Sequence, residues 1–200
     1  MMTKEAEEHK LTINPQDFLT ALQRKILLFL AVDYPRTMNS TVRAMSGNYR
    51  SSWDAFKELE EKKLIKPVSI KFYKGRKYPQ FWATENGILI AMSEGADPKI
   101  LLRRTQAIYP DNKELQFLVE TIPILGESAY NMLYLAVITN GKIEESDLIS
   151  VFAAQKKLTE EEKRRYNEIL KRYPERHKQH ADFIKRARKN LKELSDMLDN

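Results

Sequence analysis

The sequence has no cysteine, only three histidines and six glycines, and no apolar run longer than the seven residues from Ile26 to Val32. Without cysteine there are no disulfides, thiolate zinc sites, iron–sulfur clusters or cysteine nucleophiles, which suits a reducing compartment. Seven apolar residues fall far short of the roughly 20 that cross a bilayer, so no membrane partner is expected. The first residues are polar and acid-rich, unlike a signal peptide, and a cytoplasmic location is expected. No phosphate-binding Gly-rich loop, dinucleotide turn or Gly-x-Ser-x-Gly elbow occurs; the expectation is a protein that is not an enzyme and uses no cofactor. His177 and His180 have a spacing compatible with a metal pair. No further His or Cys is near them, however, and Arg176 and Lys178 repel a cation, so no metal is expected.

What is present is a chain of 200 residues, 42% apolar and 31% charged, long enough for a proper core and carrying a formal net charge of +6. The charge is unevenly spread. Residues 1–35 hold four basic and five acidic side chains, whereas residues 36–80 hold eleven basic against four acidic, a net of +7. Residues 81–98 contribute −3 and residues 99–200 contribute +3. A basic window of this kind is the electrostatic footprint of a polyanionic partner.

Asn14-Pro15 predicts a helix start, with Leu19, Leu22, Ile26, Phe29 and Leu30 on one face and a stop at Asp33-Tyr34-Pro35. A short helix follows from about Ser40 to Ser46, capped by Asn39 and ended by Gly47, with Val42 and Met45 inward. Asn48 caps a third helix that runs to about Lys63. After Pro67, Val68, Ile70 and Phe72 alternate with Ser69, Lys71 and Tyr73 as a strand; Lys74 to Lys77 form a turn, and Tyr78 to Ala83 return. Pro79 marks this second strand as an edge or a bulge. Thr84 caps a helix from Glu85, and Gly95-Ala96-Asp97-Pro98 predicts a boundary. Beyond it everything reads as helix: 98–108, 111–121, 127–139, 144–156, 159–173 and 175–199, with Pro123 among the breaks and Thr159 with Glu162 at capping-box spacing. Segment 127–139 is apolar on most sides and is expected at the centre of this half. The predicted fold class is mainly α, divided into residues 14–95 and 98–200.

At 100° per residue, the third helix places Ser52, Ala55, Phe56 and Leu59 on one face and Arg50, Asp54, Lys57 and Glu61 on the other, with Ser51 and Trp53 on the flanks. Asp54, four residues after Arg50, can orient that guanidinium, accept from a cytosine amine or pair on the surface. Tyr49 and Trp53 are expected to pack against the neighbouring hairpin or the first helix rather than to stack on bases.

The stretches SSWDAFKELEEKKLI (Ser51 to Ile65) and FYKGRKYPQFWATENG (Phe72 to Gly87), with Gly47 at the preceding tight turn, resemble the winged helix-turn-helix DNA-binding regulators of the PadR-like and MarR-like branches. The resemblance covers roughly residues 14–95, and two departures stand out: Lys63 in place of the usual Gly, and Pro79 inside the second wing strand. It implies three helices with a two-stranded wing, followed here by an all-helical part. The candidate contacts to double-stranded DNA are Ser40, Thr41 and Arg43 on the short helix; Tyr49, Arg50, Ser51, Trp53, Asp54 and Lys57 on the recognition helix; and Lys74, Arg76 and Lys77 on the wing, meeting phosphates or the minor groove.

In the last segment, His180, Phe183, Ile184, Ala187, Leu191, Leu194 and Leu198 form one stripe at i, i+3, i+4 spacing. Such a stripe packs back on the chain's own helices or pairs two subunits, and the resemblance favours a homodimer interface. Tyr130, Met132, Tyr134 and Phe152 line a small-molecule effector pocket or simply fill the core. The expected function is a dimeric, sequence-specific transcription regulator. The alternatives are a replication, partition or chromatin-type DNA-binding protein of a virus or plasmid, and a winged-helix protein-interaction module, which would not need +7 in 45 residues.

Overall fold

The computed structural model describes residues 18–45, 48–140 and 158–175, with Lys178, Asp182 and Lys185. Asn14-Pro15, Gly47, segment 144–156 with Phe152, His177, His180 and the stripe Phe183, Ile184, Ala187, Leu191, Leu194 and Leu198 lie outside the described residues. The elements in chain order are α1 (Ala21–Val32), β1 (Arg36–Thr37), α2 (Met38–Ala44), α3 (Tyr49–Glu61), β2 (Ile65–Tyr73), β3 (Arg76–Ala83), α4 (Glu85–Ser93), α5 (Pro98–Ile108), α6 (Lys113–Leu125), α7 (Glu127–Asn140) and α8 (Glu160–Arg172). The fold is mainly helical, with a small antiparallel sheet in the order β1-β3-β2. The first strand is an addition to the two expected from sequence.

The first helix starts later than its proline signal, because Thr20 and Gln23 form a reciprocal capping box: Thr20 Oγ1 accepts from Gln23 N at 3.2 Å, and Gln23 Oε1 accepts from Thr20 N at 3.0 Å. Gln23 is itself buried and donates to Glu58 of α3, while Lys62 Nζ donates to the Phe18 carbonyl at 2.7 Å. This polar clasp fixes α1 against α3. The cap of α2 is Thr37, not Asn39, and its Oγ1 accepts from Ser40 N. Pairing of Arg36 with Phe81 and of Thr37 with Gln80 holds Thr37 extended, the backbone state an N-cap requires.

At the C-terminus of α3, Lys63 adopts the left-handed conformation with φ +56°, while Leu64 N donates to Leu59 O and Lys63 N to Glu60 O. This is a Schellman motif with lysine where glycine is usual, at a cost of roughly 1 kcal/mol. It delivers the chain straight into β2, which begins at Ile65, ahead of Pro67. The register slips between Pro67 and Ser69, so the bulge falls on β2 rather than at Pro79. Pro79 is tolerated because β1 reaches only Gln80 and Phe81, leaving β3 without a second neighbour at that level.

Thr84 ties three pieces together. Its N–H donates to Leu64 O at 2.9 Å, its hydroxyl donates to Lys63 O at 2.8 Å, and its Oγ1 accepts from Gly87 N as the cap of α4. Gly87 lies so close to the α3–β2 turn that a Cβ there would run into the Leu64 carbonyl. Helix α4 ends in a second Schellman motif at Gly95 (φ +92°), and Asp97 caps α5 with Pro98 in its first turn.

Packing continues across that junction. Trp82, fully buried, donates to Asp33 O and lies 5.5 Å from the Tyr109 ring, whose hydroxyl donates to Ala83 O at 2.9 Å. One apolar cluster runs from Leu19 to Tyr173. Its central helix is α4, buried without interruption from Gly87 to Met92; α7, expected at the centre of the helical half, buries Ala129, Tyr134, Ala136 and Val137 and exposes Asn131 and 45% of Leu135. Helix α6 continues through Pro123 to Leu125, because the flanking Thr121, Ile122, Ile124 and Leu125 are all buried and the proline sits in the last turn. The capping box of Thr159 and Glu162 starts α8, whose end is held to α6 by Tyr173 donating to Glu120 at 2.7 Å and by the Arg172–Glu120 ion pair.

Burial pushes the hydroxyls of Tyr109, Tyr166 and Tyr173 well above the usual tyrosine range, with Glu85 adding to the shift at Tyr109 and Glu120 at Tyr173. Burial also raises Tyr134, to about 12. A raised folded-state pKa leaves stability intact below the unfolded value near pH 10 and removes it as pH climbs from there through the folded values. The protein should therefore unfold on alkaline titration above about pH 10, with phenolate absorbance rising in step with loss of the helical circular-dichroism signal. Free titration of all nine tyrosines near pH 10 in an intact fold would contradict this packing.

Candidate nucleic-acid interface

The two faces of α3 divide as the 100° periodicity predicts. Ser52, Ala55, Phe56 and Leu59 are buried, and Phe56 meets Phe81 of β3 edge-on at 5.1 Å, which seats the helix against the base of the hairpin. Arg50, Ser51, Asp54, Lys57 and Glu61 are exposed. Asn48 Oδ1 caps the helix by accepting from Arg50 N and Ser51 N. Among the described residues neither Arg50 nor Asp54 enters an ion pair, so the aspartate does not engage the guanidinium.

Tyr49 is exposed and Trp53 half-buried, and the ring pair they form is with each other. They stack on each other at 5.9 Å and 27°, with Tyr49 52% exposed, its hydroxyl donating to Asn39 Oδ1 of α2 at 2.6 Å, and Lys57 Nζ lying 5.9 Å from the Trp53 ring. With Arg50 they line a shallow surface hollow. Four-residue spacing brings two rings together on one helix flank, so this pairing was available in the sequence.

Of the three candidates on α2, Ser40, Thr41 and Arg43, Arg43 is the exposed one. Thr41 is completely buried and its hydroxyl donates to Thr37 O, which rules it out as a DNA contact in this fold: helical period places it on the same inward side as Val42 and Met45. Ser40 is half-buried, with its hydroxyl turned back to Thr37 O at 2.9 Å.

The hairpin turns through two residues, Lys74 and Gly75, both at positive φ (+47° and +72°). Such primed turns follow the right-handed twist of the strands. Arg76 and Lys77 belong to β3, opposite Tyr73 and Phe72. Lys74 Nζ lies 5.5 Å from the Tyr73 ring and Lys77 Nζ 5.9 Å from the Phe72 ring. Alternation of Val68, Ile70 and Phe72 with Ser69, Lys71 and Tyr73 is that of a strand with an apolar and a more polar face. The bulge and the projection of the hairpin leave both faces open, with Ile70, Phe72 and Tyr73 more than half exposed.

Apart from Lys63, the left-handed residue at the end of α3, the basic residues of the window sort into two groups. Arg36 pairs with Asp33 and covers Phe29, Lys62 holds α1, and Lys66 lies 4.8 Å over Tyr109. Arg43, Arg50, Lys57, Lys71, Lys74, Arg76 and Lys77 project into solvent from α2, α3 and the hairpin. Elsewhere, Tyr134 packs edge-on against Phe18 at 6.2 Å as a core residue. Among the described residues no cluster of three or more His, Asp or Glu side chains could hold a metal ion, and no helix is long and apolar enough to cross a membrane. Comparison of the chain with protein-family models, curated proteins and solved structures gives no match.

Proposed function

We propose that this chain is a sequence-specific double-stranded DNA-binding regulator of transcription. In this reading α1 to α4 and the hairpin form a winged helix-turn-helix, α3 lies in a major groove about 12 Å wide, and the hairpin follows phosphates or the adjacent minor groove. The observation that carries it is the pairing of an exposed α3 face, where Arg50 meets no carboxylate among the described residues, with a neighbouring hairpin tipped by Lys74, Arg76 and Lys77. The proposal includes a homodimer, built through the stripe from Phe183 to Leu198, whose two copies of α3 would address half-sites about one helical turn apart or a multiple of it.

Arg50→Ala tests the base-reading role. It should weaken binding to a site selected from random DNA by about 1–3 kcal/mol while scarcely changing binding to unrelated duplex. Equal losses on both would make Arg50 a phosphate contact, and undiminished binding to both would remove α3 from the interface.

A further inference from the structure

We propose that the outer half of the hairpin is a wedge that enters the minor groove and kinks the duplex, with Phe72 as the inserted side chain. The inference rests on the DNA-binding reading above and adds a deformation to it.

Beyond the bulge the hairpin leaves the core, and Ser69 to Tyr73 extend about 13 Å at the usual strand rise. Ile70, Phe72 and Tyr73 are 56%, 67% and 57% exposed. Large apolar groups this crowded on a free surface mark a contact site. Charge identifies the occupant: Lys71, Lys74, Arg76 and Lys77 surround them, and no acidic residue occurs between Glu61 and Glu85. A polyanion is the partner such a surface fits.

Geometry then selects the mode. Cross-strand pairing places Ile70 opposite Pro79 and Phe72 opposite Lys77. Alternation along β3 carries that same face down to Phe81, which meets Phe56 of α3. Phe72 and Ile70 therefore stand on the α3 side of the ribbon. With α3 in a major groove, this side meets the neighbouring minor groove, which is about 6 Å wide. Two strands about 4.8 Å apart, with their side chains, exceed that width, so entry requires the groove to open. An apolar side chain driven between base pairs opens it, unstacking a step and bending the duplex toward the major groove. In the free protein the Lys77 and Lys74 ammonium groups lie by the Phe72 and Tyr73 rings. On DNA they are placed to swing to the phosphates flanking the inserted ring.

The test uses the full chain and a duplex selected from random sequence, labelled at both ends, with end-to-end distance read by energy transfer and affinity measured alongside. The wild type should bend the duplex by more than about 20°. Phe72→Ala combined with Ile70→Ala should remove most of the bend, weaken the site by about tenfold and keep the salt dependence, since the cations remain. Phe72→Trp should preserve the bend. Both side chains lie outside the core, so circular dichroism should not change. Binding without bending, or an equal bend in the double variant, overturns the wedge and leaves the DNA-binding reading standing. Failure to bind any duplex overturns both. A double variant that bends DNA normally but sediments as a smaller species would make the patch a contact between proteins and would also overturn the wedge.

Discussion

Replacing Lys74, Arg76 and Lys77 together by glutamine should weaken binding to every duplex, whatever its sequence, and flatten the dependence of affinity on salt. Each phosphate contact releases condensed counterions, and its loss removes roughly 0.9 from the slope of log affinity against log salt. Three contacts amount to a change of about 2.7 in slope and, near 0.1 M salt, a loss on the order of 10²–10³ in affinity. The hairpin makes this a clean experiment. All three residues are exposed, and Lys74 and Lys77 lie by the rings of Tyr73 and Phe72, which are exposed too. The fold should therefore survive, and thermal unfolding should shift little. A triple variant that keeps both its affinity and its slope would show that the hairpin takes no part in binding.

Gly87→Ala should destabilise the protein by about 3 kcal/mol or more, the upper end of what overpacking costs. The sign is informative, because Gly→Ala within an ordinary helix is stabilising by roughly 1 kcal/mol. Here the new methyl would collide with the Leu64 carbonyl and approach Ala83 Cβ to 3.3 Å. That carbonyl cannot retreat cheaply. It accepts from Thr84 N, and it follows Lys63, already held in the left-handed region by the end of α3. Urea unfolding of the variant would measure the loss; a midpoint equal to or above wild type would show that the turn yields and that the close approach is incidental.

These two experiments draw on parts of the molecule that differed in how openly the sequence displayed them. Local signals carried far. Asn48, Thr84 and Thr159 cap the helices assigned to them, and the buried and exposed faces of α3 follow from spacing alone. Competing local signals did not resolve. Thr37, Asn39 and Ser40 are all cap-formers, and the choice fell to Thr37 through its pairing with Gln80 of β3, far along the chain. The same long-range pairing sets where α2 begins. The candidate site was legible in its charges, which need only be exposed. It was less legible in Thr41, whose burial depends on α2 packing, and in Ile70 and Phe72, whose exposure depends on a bulge that no single residue announces. Pro79 drew attention to the right region but to the wrong strand. Burial, in short, is decided by neighbours that come from elsewhere in the chain.

From Gly87 to Met92, helix α4 has no outward side: α1, α6 and α7 each pack against the helix, and β3 leads directly into it. The junction at Gly95 is thus a bend in the path and not a seam in the interior. A fragment ending there would turn several of the buried side chains between Ile88 and Met92 to water and would lose Tyr109 from beside Trp82. The base of the hairpin and helices α5 to α7 thus share one interior through α4, and exchanging either for a foreign counterpart would mean rebuilding α4. A substitution on α6 or α7 that moves α4 also moves Thr84, and through it the carbonyls of Lys63 and Leu64 at the exit of α3.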